Sequence, residues 1–181
     1  LTANGTIFDQ SKKGIIPGLL ERWYAERKEL QNNMRNAKDR PERDFWDRRQ
    51  LVKKINLNSL YGAILNPGSR FFDIRVGQSV TLSGRSITKH MASKTNEVIT
   101  EKYEHDGDAV IYGDTDSVYF SAYSALQKEV ESGKISWSKD IAIELYDQIA
   151  EAVNDSFPGY MKTAHNVLEE RGLLIRAGRE L

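Results

Sequence analysis

Residues 109–120 read Ala-Val-Ile-Tyr-Gly-Asp-Thr-Asp-Ser-Val-Tyr-Phe. Two short β-prone runs meet at a tight acidic turn, which predicts a β-hairpin. On extended backbone Asp114 and Asp116, two residues apart, would place their carboxylates on the same face. Mg²⁺ prefers hard oxygen ligands and commonly takes one or two protein carboxylates together with substrate phosphates. The turn is therefore a candidate Mg²⁺ site, and a solvated turn that happens to contain Asp is the alternative.

The composition indicates a globular protein without membrane spans. Of the 181 residues, 39% are hydrophobic and 29% are charged, enough for one domain or two small lobes. No apolar run is long enough to cross a bilayer, and the absence of cysteine excludes disulfides and thiolate zinc sites within this sequence. His90, His105 and His165 are scattered singly, so we expect surface or packing roles for them. A cytoplasmic setting is the expectation.

The charges are unevenly distributed although they sum to zero over the chain. Residues 1–62 carry 13 Lys and Arg against 8 Asp and Glu, whereas residues 101–181 carry 8 against 16. A basic front part and an acidic back part suit a protein that holds a polyanion with one lobe and cations with the other. An ordinary solvated surface is the alternative.

The first third of the chain predicts two helices. Residues 6–16 read as a short strand and turn, and helix follows from about residue 19 to 38. Asp39-Arg40-Pro41 breaks the pattern, because the residue before proline is pushed out of the α region. A second helix is predicted over residues 42–60. The apolar stripes assigned to these helices are Leu19, Leu20, Trp23, Tyr24 and Leu30 in the first and Phe45, Leu51, Val52, Ile55 and Leu60 in the second.

The remaining chain predicts a mixed base. We expect a helix over residues 77–103, the hairpin at 109–121, a helix over 138–170 interrupted at Phe157-Pro158-Gly159, and a strand at 173–177. The fold class is therefore α+β, an antiparallel helical hairpin on a base that contains an antiparallel β-hairpin and packed helices. The predicted divisions are an edge segment at 1–16, the helical hairpin at 17–66 and the base at 67–181.

A second group of polar residues lies near the end of the second predicted helix. Lys54, Asn58 and Tyr61 fall at i, i+4 and i+7 and share one helix face. An ammonium, an amide and a phenol hydroxyl suit a triphosphate and the base or sugar attached to it. Arg27 on the antiparallel neighbour can reach the same groove, and guanidinium binds phosphate oxygens in forked pairs. Taken singly, a residue of this kind is more often a solvated charge or a capping amide.

The two motifs together resemble the B-family DNA polymerases. The run K-x-x-x-N-S-x-Y-G at residues 54–62, followed about fifty residues later by Y-G-D-T-D-S, is similar to that family's fingers and palm motifs. The surrounding segments 25–29 and 70–75 are most similar to replicative polymerases of T-even-like bacteriophages. The resemblance spans nearly the whole chain. It implies that the helical hairpin is the fingers and the base a partial palm.

The resemblance also implies roles for individual residues. Arg27, Lys54 and Asn58 would bind the triphosphate of the incoming dNTP, while Tyr61 and Gly62 would pack at the nascent base pair. Asp116 would be a direct ligand of catalytic Mg²⁺, with Mn²⁺ as a substitute, and Asp114 would support the metal site. The residues expected near primer-template DNA are Arg70, Arg75, Tyr112 and Thr115.

Some features of the family pattern are missing from this sequence. The upstream motif D-x-x-S-L-Y-P-S and the lysine-rich K-K-R-Y segment do not occur, and Gln31 stands where relatives can offer another phosphate-binding lysine. We therefore expect a fragment or one subunit of a split viral polymerase in the host cytoplasm, inactive until missing segments or a complementing chain supply the upstream aspartate.

Two other classes of function stay open at this point. One is a non-catalytic nucleic-acid or nucleotide-binding module, and the other is a structural helical protein with a chance motif. A palm lacking its upstream strand would expose a sheet edge and an apolar face. Self-association, with a second copy covering that surface, is therefore also expected.

Overall fold

The computed structural model describes residues 1–179, and these form an α+β fold, as predicted. The chain divides into two compact units: one contains residues 7–78, and the other contains residues 1–6 and the chain from residue 79 onward. The elements are α1 (Ile15–Arg35), α2 (Arg40–Leu65), α3 (Ile74–Thr100), β1 (Val110–Asp114), β2 (Ser117–Phe120), α4 (Tyr123–Glu131), α5 (Lys139–His165) and α6 (Glu169–Gly172). None of the helices in the described part has the length and apolar character that a membrane span requires.

Helices α1 and α2 form an antiparallel hairpin because a short, well-capped turn joins them. Asp39 is the N-cap of α2, and its carboxylate accepts a hydrogen bond from the Glu42 backbone N–H at 2.8 Å. The Glu42 carboxylate accepts in return from the Lys38 N–H at 2.9 Å. Pro41 lies in the first turn, where its missing N–H costs no helical hydrogen bond. The predicted break at residues 39–41 is thus the start of the second helix.

The stripe predicted for α2 is wrong for four of its five residues. Phe45, Leu51, Val52 and Ile55 are all more than 40% exposed. The side that meets α1 includes polar groups: Gln50 accepts from Arg27, and Lys53 forms an ion pair with Glu26. The half-buried apolar residues Trp46, Leu57 and Leu60 follow the same side at helical spacing. Successive residues lie about 100° apart around a helix. With Gln50 and Lys53 on the side toward α1, the four exposed residues of the predicted stripe point toward solvent. In α1, Tyr24 is likewise exposed.

The other unit packs α3, α5 and the β-hairpin around one apolar cluster. Its buried members are Ala122, Ile149, Val153 and Phe157, surrounded by half-buried residues such as Met91, Phe120 and Tyr146. Strands β1 and β2 pair antiparallel with Gly113 opposite Val118, and the register shifts between residues 110 and 112. This arrangement holds the acidic turn at the free end of the hairpin.

The last part of the chain departs from two predictions. Helix α5 runs without interruption from Lys139 to His165 and contains Pro158, which lacks a backbone N–H but does not end the helix. Residues 173–177, all within the described part, contain no strand. The Asn154 amide instead donates to the Ala177 carbonyl at 3.0 Å and accepts from the Ala177 N–H at 2.7 Å. A side chain thus takes the place of a strand partner.

Two further boundaries differ from the prediction. The structure has no strand in residues 6–16, all of which it describes, and α1 begins within that segment at Ile15. Helix α3 ends at Thr100 rather than near residue 103, because Glu101 adopts a left-handed conformation with φ of 64°. Helix α4 was not predicted.

Candidate metal and nucleotide sites

The acidic turn holds Asp114 and Asp116 on either side of a left-handed residue. Asp114 ends β1, Asp116 lies in the turn, and Thr115 between them has φ of 48°. The prediction placed both carboxylates on one face of an extended strand. The chain between them is not an extended strand, because Thr115 is left-handed and Asp116 lies in the turn. Both residues are exposed, and both nevertheless line one cavity of about 750 Å³. The turn, rather than strand alternation, brings them to a common space.

Three hydrogen bonds define the conformation of this turn. The Thr115 hydroxyl donates to Oδ1 of Asp114 at 3.0 Å, and the Ser117 hydroxyl donates to the Asp114 backbone carbonyl at 3.0 Å. The third comes from outside the hairpin: the Thr88 hydroxyl on α3 donates to the Thr115 carbonyl at 3.0 Å. The turn is thus anchored both within itself and to α3.

The donor set at this cavity fits Mg²⁺. Within residues 1–179 no cluster of three or more His, Cys, Asp or Glu side chains is placed to enclose a metal ion. Two exposed carboxylates at an open cavity match an ion that takes one or two protein carboxylates and completes its shell with water and substrate phosphates. The cavity is also lined by Arg85, Lys89 and Arg176, which supply positive charge for an anionic ligand.

Arg85, Lys89 and Thr88 were not singled out from the sequence. Arg85 and Lys89 are separated by four residues and therefore share a face of α3. This spacing could have predicted from the sequence that the two basic residues lie together. The contact of Thr88 depends on the approach of a hairpin tip 27 residues away, which no local pattern encodes.

The predicted nucleotide-binding residues lie on the α1–α2 hairpin. Lys54 and Asn58 are exposed, and Gly62 has open space around the position that a Cβ would occupy. Tyr61 is half-buried, and its hydroxyl donates to the Gly77 carbonyl at 3.1 Å. Arg27 is half-buried on α1, where its Nε donates to Gln50 at 3.3 Å. Lys54, Asn58 and Gly62 thus share an accessible helix face, whereas Tyr61 and Arg27 are also engaged within the unit.

The same face of α2 includes exposed apolar side chains that belong to the predicted apolar stripe. Leu51, Ile55, Asn58 and Gly62 follow one another at spacings of four, three and four residues, so they lie along one side of the helix surface. An apolar surface bordered by Lys54 is suited to a ligand with a flat apolar part and a charged part.

The residues predicted to approach DNA have distinct environments. Arg70 is exposed, whereas Arg75 forms a forked pair with Asp73, Nε to Oδ1 at 3.1 Å and a terminal nitrogen to Oδ2 at 2.8 Å. The hydrogen bonds from Arg75 lower the pKa of Asp73 to about 2. Tyr112 on β1 is exposed, and its ring centroid lies 5.7 Å from that of Tyr119 on β2.

Comparison with known proteins identifies the family. The model for DNA polymerase family B matches residues 2–154. The DNA polymerase delta catalytic subunit of Glycine max is 35% identical over 138 residues, which cover 74% of this chain and 13% of that protein. That of Caenorhabditis elegans is 39% identical over 124 residues, covering 65% of this chain and 11% of the relative. The DNA-directed DNA polymerase of Escherichia phage RB69 is 39% identical over 84 residues, which cover 46% of this chain and 9% of that protein.

These comparisons confirm the resemblance to the B-family DNA polymerases. They do not confirm the more specific resemblance to polymerases of T-even-like bacteriophages. Most of the similar proteins are eukaryotic delta subunits, so the similarity to T-even-like phage polymerases stays a prediction. The chain spans only about a tenth of the length of the relatives. Because the family model covers most of its residues, the chain belongs to DNA polymerase family B.

Proposed function

We propose that this chain supplies the metal-binding turn and the nucleotide-binding helical hairpin of a DNA-directed DNA polymerase. The observation that carries the proposal is the exposure of Asp114 and Asp116 at one cavity, within the region that the family model matches. Paired carboxylates beside a cavity that is also lined by cationic side chains suit the joint binding of a divalent cation and phosphates.

In this proposal Asp116 and Asp114 hold Mg²⁺, and Mn²⁺ can replace it. The bound ion supplies positive charge that neutralises the charge developing on phosphate oxygens during nucleotidyl transfer. Thr115 contributes by donating to Asp114 and so fixing the orientation of that carboxylate.

The helical hairpin binds the incoming dNTP. Lys54 is accessible and places a compact positive charge where the triphosphate binds, with Arg27 on α1 as a second cation and Asn58 as a hydrogen-bonding partner. Tyr61, whose hydroxyl is held by the Gly77 carbonyl, offers its ring to the nascent base pair. Gly62 adds no side chain, so the base pair can approach the helix backbone closely.

The DNA contacts are assigned to Arg70, Arg75, Tyr112 and Thr115. Arg70 offers an exposed guanidinium to phosphate, and Tyr112 an exposed ring beside the carboxylate turn. The partners are a primer-template duplex, dNTP and the other segments of the polymerase, with self-association through exposed apolar surface. A viral source, with the protein in the host cytoplasm, is part of the proposal, and the phage RB69 polymerase is the similar protein that bears on the viral source.

Equilibrium binding of a dNTP, with Mg²⁺ and with EDTA, tests the proposal. We expect Mg²⁺ to strengthen binding, and the Asp114→Asn/Asp116→Asn variant to lose that gain. Lys54→Ala should weaken binding about tenfold, since a charge-assisted hydrogen bond is lost. Arg40→Ala removes the same charge at the other end of α2 and is the matched control.

Equal dNTP affinity with and without Mg²⁺ would contradict the proposal. It would favour the alternative of a non-catalytic nucleotide-binding module, which has no use for the carboxylate pair.

A further inference from the structure

Thr88 connects α3 to the carboxylate turn through one hydroxyl group. Its Oγ1 lies 3.0 Å from the Thr115 carbonyl oxygen and 3.2 Å from the carbonyl oxygen of Gly84 on its own helix. A threonine hydroxyl has a single hydrogen, so the two carbonyls share this donor. Thr88 is also among the residues that line the cavity with Asp114 and Asp116.

The backbone that Thr88 contacts is in an unfavourable conformation. Thr115 has φ of 48°, and a β-branched residue rarely adopts the left-handed region because its side chain crowds the backbone there. Such a conformation persists only where surrounding contacts fix it, and it is found at functional sites. The bond from Thr88 is a contact of this kind from outside the hairpin.

The position of this hydrogen bond matters because of the planarity of the peptide group. The Thr115 carbonyl belongs to the peptide plane that leads directly into Asp116. Fixing its oxygen therefore fixes the direction in which the chain enters Asp116. Asp114, on the other side of Thr115, is fixed by the hydroxyls of Thr115 and Ser117.

We propose that Thr88 is a positioning residue for the metal site. Its hydroxyl orients the Thr115 peptide so that Asp116 lines the same cavity as Asp114, and divalent metal affinity depends on that orientation. This inference rests on the proposed function, because it assumes that the two carboxylates bind the metal.

Thr88→Val tests this inference because it removes the hydroxyl and keeps the side-chain shape. The matched control is Thr100→Val, since the Thr100 hydroxyl also donates to a carbonyl one turn back on α3, that of Asn96 at 2.8 Å. Thr88→Ser keeps the hydroxyl and should restore binding. The measurements are the Mn²⁺ dissociation constant, from the electron paramagnetic resonance signal of unbound Mn²⁺, and the Thr115 amide coupling constant that reports φ.

We expect Mn²⁺ binding to weaken about tenfold in Thr88→Val, a typical effect of losing a group that orients a metal ligand. The Thr115 coupling constant should change as well, while Thr88→Ser and Thr100→Val should both resemble the wild type. Wild-type affinity in Thr88→Val, together with loss of binding in Asp114→Asn/Asp116→Asn, would overturn the inference and leave the proposed function intact. Equal Mn²⁺ binding by the wild type and the double aspartate variant would overturn both.

Discussion

The imidazole of His90 lies parallel to the phenol ring of Tyr160, with ring centroids 3.9 Å apart and an angle of 7° between the planes. Both ring nitrogens of His90 also have partners: Nδ1 lies 2.7 Å from the Tyr103 hydroxyl and Nε2 lies 2.9 Å from that of Ser156. The contacts with Tyr160 and Ser156 join α3 to α5. Since only 7% of His90 is exposed, its protonation state is coupled to the packing of these helices.

The first prediction concerns the titration of His90. Burial lowers the pKa of His90 below its ordinary value of 6.5, and the positive charge of Lys94 lowers it further, while Glu97 acts in the opposite direction. The unfolded chain therefore takes up this proton at a higher pH than the folded one. The resulting stability is fully present above pH 6.5 and is lost as the pH falls through the folded pKa.

The imidazole NMR signals of His90, followed from pH 8 to 5, measure this directly. We expect a His90 midpoint below 6.5 and a shallower fall of the unfolding free energy with decreasing pH in His90→Gln. A His90 midpoint at or above 6.5 would contradict the prediction, because burial would then not lower the pKa of His90.

The second prediction concerns Asp73 at the start of α3. Its pKa of about 2 depends first on the side-chain hydrogen bonds from Arg75 and then on the backbone N–H of the same residue. The depressed pKa means that the stabilising effect is present above the ordinary value of 3.8 and is lost as the pH falls toward 2. Arg75→Ala should therefore raise the Asp73 midpoint toward 3.8.

Carboxyl carbon NMR across this pH range checks the prediction, and Arg70→Ala is the control that removes a nearby charge but not the forked pair. An unchanged Asp73 midpoint in Arg75→Ala would contradict the claim that the hydrogen bonds from Arg75 lower the pKa of Asp73.

The third prediction concerns the loop between α3 and β1. Asn96 is fully buried, and its amide donates to the Glu104 carbonyl at 2.6 Å and accepts from the Ala109 N–H at 3.0 Å. A Cβ at Gly107 would lie 2.8 Å from Cγ of Asn96, and the hydrogen bonds prevent that side chain from moving away. We expect Gly107→Ala to reduce the free energy of unfolding by about 1–3 kcal/mol.

Denaturant unfolding measures this change. Gly159→Ala on α5 is the matched control, because no atom lies within 4 Å of its added Cβ. That control should stabilise the chain by about 0.5–1 kcal/mol through helix propensity. Equal effects of the two substitutions would mean that the Asn96 contact is not rigid.

The sequence allowed the hairpin and the paired helices to be predicted because their signals are local. Asp39, Pro41 and Glu42 mark a helix start within four residues, and β-prone runs flank the acidic turn. The stripe on α2 was misassigned because most of its residues lie on a different side of the helix from Gln50 and Lys53, whose contacts with Arg27 and Glu26 mark the side that meets α1. Hydrophobic periodicity carries no information about such pairs.

The candidate metal site likewise depends on contacts that a local sequence pattern does not encode. The identities of Asp114 and Asp116 are evident from the sequence, but their orientation depends on the left-handed Thr115 and on Thr88, which is distant in the chain. The missing strand at residues 173–177 has a similar cause. Asn154 on α5 satisfies the Ala177 backbone, and only the tertiary structure reveals that contact.

Metal-directed cleavage tests the central claim, that the acidic turn binds the divalent cation, most directly. Fe²⁺ replaces Mg²⁺ at oxygen ligands, and with ascorbate and peroxide it generates radicals that cut the nearby backbone. We predict cleavage within residues 113–117, suppression of cleavage by excess Mg²⁺, and its loss in Asp114→Asn/Asp116→Asn. Asp106→Asn/Asp108→Asn, which changes an exposed pair with the same spacing, should leave the cleavage intact. Cleavage that is centred elsewhere, or that survives substitution of Asp114 and Asp116, would contradict the account.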